Sequence, residues 1–365
     1  MKNDVLLLFA LSLVISVYGQ NPITFDRASI PNAPAFVLLD KTPTIIERPD
    51  SPKAFGIQLL QDFEDGVLDN IALEFTPFWY TKPKALNALK MRGIERIEQA
   101  PGVYYNKQNY FSGLRFTNIS VAYSSGMDSI QNIAIGARAT IFEYKHPEDV
   151  KRLIDANAYN ERILKEKLLL FNEFMALPGK SELAATNKPQ FEKELQAYIE
   201  AKNLSSAKQV YDALAIKPVF ALDGAIAYNA RYVNDRYQSA ANNRFGIWLT
   251  AAYAQPLGRG NDMGNYLNFY GFFRYLNDEI NTTTFNAVDV GVKAELEFDR
   301  LSFGYEYISR SGDLDSFRSS GSLVYKLTPN LYLSGAFGNN FGSANDLISL
   351  LGIRWGLNNK AQTLN

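Results

Sequence analysis

The chain is 365 residues long, has no cysteine and carries a net charge of −1. Disulfides, thiolate metal sites, thiol nucleophiles and an acylated cysteine are therefore excluded, and no basic surface calls for nucleic acid. A mean hydropathy of −0.17 argues against a bundle of membrane helices, but not against a membrane β-barrel, in which only alternate residues meet lipid.

Lys2 starts a short basic stretch, and Val5 to Val17 is apolar but short for a bilayer span. Val17 and Gly19 suit the −3 and −1 positions of a cleavage site, so residues 1–19 read as a signal peptide and Gln20 as the mature start, with an uncleaved anchor as the alternative. Residues 20–53 hold Pro22, Pro31, Pro34, Pro43, Pro49 and Pro52, which block helix and remove ladder donors. Two readings of this segment stand. One is a periplasmic leader tail. The other is a plug folded into a barrel mouth or lumen, since a solvated tail has little use for Phe36, Val37, Leu38 and Leu39.

From residue 54 the period becomes two. The first strand runs over about 54–63 and the second over about 70–80, where Ile71, Leu73 and Phe75 alternate with Ala72, Glu74 and Thr76. An excursion over 82–110 follows, in which Lys84–Gln99 has the spacing of a short amphipathic helix near the membrane surface or of a solvated connector. The third and fourth strands span about Ser112–Ser124 and Ser129–Tyr144. Residues 147–216 then read as a helical insertion. Pro147, Glu148 and Asp149 open its first helix, Pro178-Gly179 ends it, Phe191 to Ile199 mark a second, and Ser205 or Ser206 caps a third. Strands resume at about Pro218. The clearest run is Val288, Val290, Val292, Ala294, Leu296 and Phe298 against Asp289, Gly291, Lys293, Glu295 and Glu297. The expected fold class is an all-β transmembrane barrel, antiparallel and up-and-down, with about twelve strands over 54–357, a periplasmic α-helical insertion and a polar tail at 358–365.

Strand parity assigns sides. With both termini periplasmic, the tight turns near Asp299 and Pro329 fall on the periplasmic side, and the Asn-, Ser- and Gly-rich loops outside. The same parity puts both 82–110 and 147–216 in the periplasm. Alternation nominates Glu74, Arg138, Arg231, Arg244 and Arg274 as lumen-lining. It adds Asp289, Lys293, Glu295, Glu297, Glu306, Arg318, Lys326 and Arg354. These charges form either a pore lining that selects solutes or a packed, paired lumen, with Trp248, Tyr270 and Phe272 also taking space there.

Catalytic residues are not evident. The only histidine, His146, sits at a strand-to-helix junction, away from where a Ser–His or Asp–His barrel enzyme needs it. No carboxylate spacing resembles a Ca²⁺ loop, and Gly258–Asn261 lacks the Lys-Ser/Thr of a phosphate loop. No cofactor or metal is expected.

The cleavage site at Gly19-Gln20, the alternating strands and the aromatic positions Trp79-Tyr80, Tyr275 and Trp355 together resemble an outer-membrane β-barrel protein of a Gram-negative bacterium. The phrase Ala72-Leu73-Glu74-Phe75-Thr76-Pro77-Phe78-Trp79 is similar to barrels of the Bacteroidota kind. The resemblance is at class level and implies an outer-membrane location with lipid around the barrel. One departure is the polar tail after Leu357, where such barrels usually end on an aromatic. The long insertion leads to the expectation of a non-enzymatic membrane anchor that binds a periplasmic or outer-membrane protein partner. Leu164, Leu168, Phe171, Met175, Phe191 and Tyr198 are the docking candidates. The alternative is a solute channel, passive or gated by residues 20–53.

Overall fold

The computed structural model describes residues 33–40, 42–47, 56–62, 70–80, 88–125, 130–202, 216–233, 236–237, 243–258, 265–280, 283–298, 300–328, 331–342 and 347–356. The expected signal peptide, the third insertion helix and the polar tail lie outside the described residues.

Twelve strands form one closed antiparallel sheet: β1 (Gly56–Asp62), β2 (Asn70–Phe75), β5 (Asn118–Ser125), β6 (Ile130–Tyr144), β7 (Phe220–Val233), β9 (Asn243–Pro256), β10 (Tyr266–Ile280), β11 (Thr283–Glu297), β12 (Leu301–Gly312), β13 (Ser316–Thr328), β14 (Leu331–Asn339) and β15 (Leu347–Gly356). Consecutive barrel strands are neighbours, and β1 closes the ring on β15 from Gly56↔Gly356 to Asp62↔Leu350. A two-residue strand, β8 (Arg236–Tyr237), pairs antiparallel with the end of β7. Closure leaves no open edge, the condition for a sheet to cross a bilayer.

The period-two pattern becomes two unlike faces. Ile133, Ile135, Ile247, Leu249, Val290, Val292, Phe303, Tyr305, Phe337 and Trp355 are among the large apolar side chains exposed on the outer face. Their strand neighbours Ala134, Trp248, Asp289, Glu306 and Arg354 are buried on the inner one. No described helix is long and apolar enough to cross a membrane; the crossing is made by strands.

The expected helix over Lys84–Gln99 is replaced in its described part, residues 88–99. One helical turn, α2 (Ala88–Met91), is followed by a hairpin of β3 (Ile94–Ala100) and β4 (Val103–Gln108). Its turn is Pro101-Gly102 with Gly102 at φ 79°, the composition and backbone of a type II turn, which outweighed the helical spacing. The third strand is also shorter than expected: Ser112–Phe116 is a 3₁₀ turn and pairing starts at Asn118.

Between β6 and β7 stand α3 (Pro147–Met175), α4 (Lys180–Thr186) and α5 (Lys188–Ala201). His146 is the N-cap of α3, its Nδ1 accepting the Glu148 N–H at 3.4 Å. Ile94, Leu153, Ala156 and Ile216 form one small core that ties α3 to the hairpin segment. Phe171, Phe174, Phe191 and Leu195 form a second, between α3 and α5. Both excursions leave the barrel at the end where β1 starts and β15 finishes, as the pairing Gly56↔Glu74 and the β6–β7 connection require. Leu195 is fully buried, so Leu195→Ala should weaken the helix pair by ~2–5 kcal/mol. Proteolysis near Pro178 should accelerate while the barrel's heat-modifiable gel shift stays unchanged; a shifted barrel transition would contradict two separate cores.

Candidate functional site: a charged lumen and its occupant

The lumen holds residues 33–40 and 42–47. The single-turn helix α1 (Pro34–Leu38) is buried along its length, and Ile45 and Ile46 are 1% and 0% exposed. The wall makes room for it. Ala72, Ala122 and Ala134 are cross-strand neighbours on β2, β5 and β6, and they pack with Ala33, Ala35 and Phe36. Gly136 continues the gap: a Cβ there would lie 2.8 Å from Pro34 Cβ and 3.0 Å from the Ala35 nitrogen. The Ala35 N–H donates to Ser120 Oγ at 3.1 Å, and the Ala33 N–H to Gln58 Oε1 at 3.2 Å. On the opposite side Val37, Leu38, Ile45 and Ile46 share an apolar cluster with Trp248, Tyr270, Phe272, Leu276 and Ile308.

Charge fixes the rest, at three points. The first is Asp40, which leaves α1 in the left-handed region (φ 56°), a conformation Asp tolerates better than most residues. Its carboxylate meets Arg274 Nη2 at 2.6 Å, Arg244 Nη1 at 3.1 Å and Arg310 Nη2 at 3.1 Å. The wall already pairs these arginines. Arg274 and Arg310 both donate to Asp289, which sits between them in register, and Arg244 donates to its cross-strand neighbour Asp278. The second point is Glu306. It accepts from Thr44 Oγ1 at 2.6 Å and from the Ile45 and Ile46 N–H groups at 3.1 Å, as well as from Arg318 Nε at 2.8 Å. Arg318 Nη2 and Lys293 Nζ donate to the carbonyls of Thr42 and Ile46. The third point is Glu47, which takes Arg138 at 2.9 Å and Arg354 at 3.2 Å.

The thirteen charged positions picked out by alternation divide between these points and the periphery. Arg138, Arg244, Arg274, Asp289, Lys293, Glu306, Arg318 and Arg354 belong to the ionic network around residues 33–47. Glu74 is buried near it, accepting from Asn118 Nδ2 at 2.6 Å. Glu295 pairs with Lys293 at 2.7 Å, and Glu297 pairs with Lys217. Arg231 is half-buried within electrostatic reach of Asp278 and Arg244, and Lys326 lies over the Tyr332 ring. Sequence reading missed Arg310 and Asp278. Extending the inward period of β12 from Glu306 past Ile308, and that of β10 past Leu276, finds both. It also missed Asp40 and Glu47, whose partners are up to 307 positions away and leave no local signal.

The docking candidates need correction. Phe171 and Phe191 are buried against each other, with half-buried Met175 and Tyr198 packed around them, so these side chains are used largely in holding the helices together. Helices this polar hold together only by spending their large apolar side chains on one another. Leu168 is exposed, beside Leu169. The Leu164 side chain lies outside the described set.

An apolar outer belt on a closed antiparallel barrel, with charges turned inward, defines a transmembrane barrel of the outer-membrane type. No protein-family model matches the sequence, and no curated protein matches it. Among solved structures the chain is similar to the KdgM porin, with a TM-score of 0.36 and 9% identity over 83% of this chain and 98% of that one. It is similar to the outer membrane protein Omp33 of Acinetobacter baumannii, with a TM-score of 0.33 and 11% identity over 83% and 98%. It is also similar to Salmonella typhi OmpF, with a TM-score of 0.28 and 9% identity over 79% and 61%.

Proposed function

We propose that this protein is a non-enzymatic outer-membrane channel for small solutes, closed at rest by the segment that carries residues 33–40 and 42–47. The observation that carries the reading is how the wall would stand without that segment. Arg274 and Arg310 would keep Asp289, Arg244 would keep Asp278, and Arg318 would keep Glu306. A wall in which most of the charges keep a wall partner tolerates water in place of the segment, and that water also reaches Arg138 and Arg354, which meet Glu47 when the segment is in place. The segment also enters from outside the strand order and contributes no strand to the ring. Its removal therefore leaves the barrel's hydrogen-bonded circuit complete.

The test is single-channel recording in planar bilayers of the full chain and of a chain lacking residues 33–47, both first checked for heat-modifiable migration. The full chain should show rare, brief openings and the deleted chain steady conductance. Two folded but silent proteins would end the channel reading.

A further inference from the structure

We infer that the arginine cage holding Asp40 is a binding site for a small carboxylate solute, with Asp40 as its built-in occupant. This rests on the channel reading and names the chemistry of what passes.

The cage is built by the wall alone. Arg244, Arg274 and Arg310 come from β9, β10 and β12, and each is oriented by a wall carboxylate, Asp278 or Asp289, through its Nε and one Nη. The guanidinium carbons of Arg310 and Arg274 lie over the Phe341 ring, 3.6 Å and 5.8 Å from its centroid. Three guanidinium groups against two wall carboxylates leave a surplus of one positive charge. Arg231, near Arg244 and Asp278, adds to it. Buried positive charge in surplus demands an anion. Three converging donors fit a planar carboxylate better than a spherical ion, because both oxygens can be engaged at once. In the closed state Asp40 does this: Oδ1 takes Arg274, and Oδ2 takes Arg244 and Arg310.

Two further donor directions define the solute more narrowly. Arg274 Nη1 donates to the Val37 carbonyl at 2.8 Å, and Arg244 Nη1 also donates to the Leu38 carbonyl at 3.1 Å. The segment therefore presents one carboxylate, that of Asp40, together with two neutral oxygen acceptors, the carbonyls of Val37 and Leu38. A hydroxy acid or keto acid carries the same pattern on a few atoms, so glycolate is the smallest adequate probe.

The experiment uses the chain lacking residues 33–47 in planar bilayers under a KCl gradient, with glycolate then added. The expected result is anion selectivity and a chloride current reduced by glycolate. In Arg244→Gln the concentration for half-block should rise about tenfold or more, as expected for losing one hydrogen bond to a charged group. Glycolamide, neutral and of the same shape, should leave the current unchanged, and this comparison needs no substitution in the wall. A conducting channel that glycolate does not block, or that glycolate and glycolamide block alike, overturns the site while the channel reading stands. Equal block in a folded Arg244→Gln channel overturns it too. A folded, silent channel removes the channel reading and this inference with it.

Discussion

Glu306→Ala should release residues 42–47 from the lumen. Glu306 is 1% exposed and reads the backbone of the segment through the adjacent N–H groups of Ile45 and Ile46. It also takes Thr44 Oγ1, Arg318 Nε and Ser320 Oγ. Alanine removes every one of these acceptor contacts and leaves the Arg318 guanidinium buried with only the Thr42 and Pro43 carbonyls and Asn340. Taking one partner from a buried pair costs ~3–5 kcal/mol. Here much of that cost is relieved by letting the segment out and water in. Lys41 follows Asp40 in the chain, so trypsin cleavage after it reports release directly. Cleavage should accelerate by about two orders of magnitude, the equivalent of ~3 kcal/mol of local opening. Gln at the same position keeps an acceptor and should have a smaller effect. An unchanged cleavage rate in a folded Glu306→Ala barrel would show that the apolar contacts of Ile45 and Ile46 hold the segment by themselves.

Asp289→Ala should act on the wall. Asp289 is fully buried on β11 and sits in register with Arg274 on β10 and Arg310 on β12. Its two oxygens take Arg310 Nε at 2.7 Å and Arg274 Nε at 2.8 Å. Without it, two guanidinium groups on the strands flanking β11 are left with Asp40 as their shared remaining carboxylate. The expected loss is ~3–5 kcal/mol, now from the sheet itself. It should lower the temperature at which the compact gel band converts to the unfolded one. Asp40→Asn is the informative contrast: it removes charge from the segment and leaves Asp289 in place, so it should loosen the segment and shift the barrel transition far less. Equal shifts for Asp289→Ala and Asp40→Asn would mean that barrel and segment unfold as one unit.

The two substitutions separate jobs that alternation alone presents as one. Inward Asp289 and inward Glu306 look the same in sequence, each a carboxylate between two apolar side chains, Val288 and Val290 in one case and Tyr305 and Tyr307 in the other. In the fold, one binds wall to wall and the other wall to occupant. The difference comes from which residues lie across the lumen, 234 to 270 positions away for the Asp40 contacts of Arg274 and Arg310. Local spacing carries no information at that range. The hairpin at Ile94–Gln108 teaches the same at short range, since a Pro-Gly pair with the right backbone outweighed an apparent helical period.

What the sequence determined by itself was the face of each strand. Period-two alternation from Gly56 to Gly356 sets apolar side chains outward and charges inward, and a chain so patterned buries both faces properly only by closing into a barrel in lipid. The proline-rich composition of residues 20–53 and the run Phe36–Leu39 made a lumen segment one of two open readings. Tertiary structure alone shows residues 33–40 and 42–47 buried among inward-facing side chains of the ring. The alanine row at Ala72, Ala122 and Ala134 and the gap at Gly136 are ordinary small residues until closure sets them on one side of a cavity. Asp40 becomes the centre of three arginines only when β9, β10 and β12 curve around it. The physical reason is that hydrophobic alternation is a property of neighbours along one strand, whereas charge pairing across a lumen is a property of the closed ring.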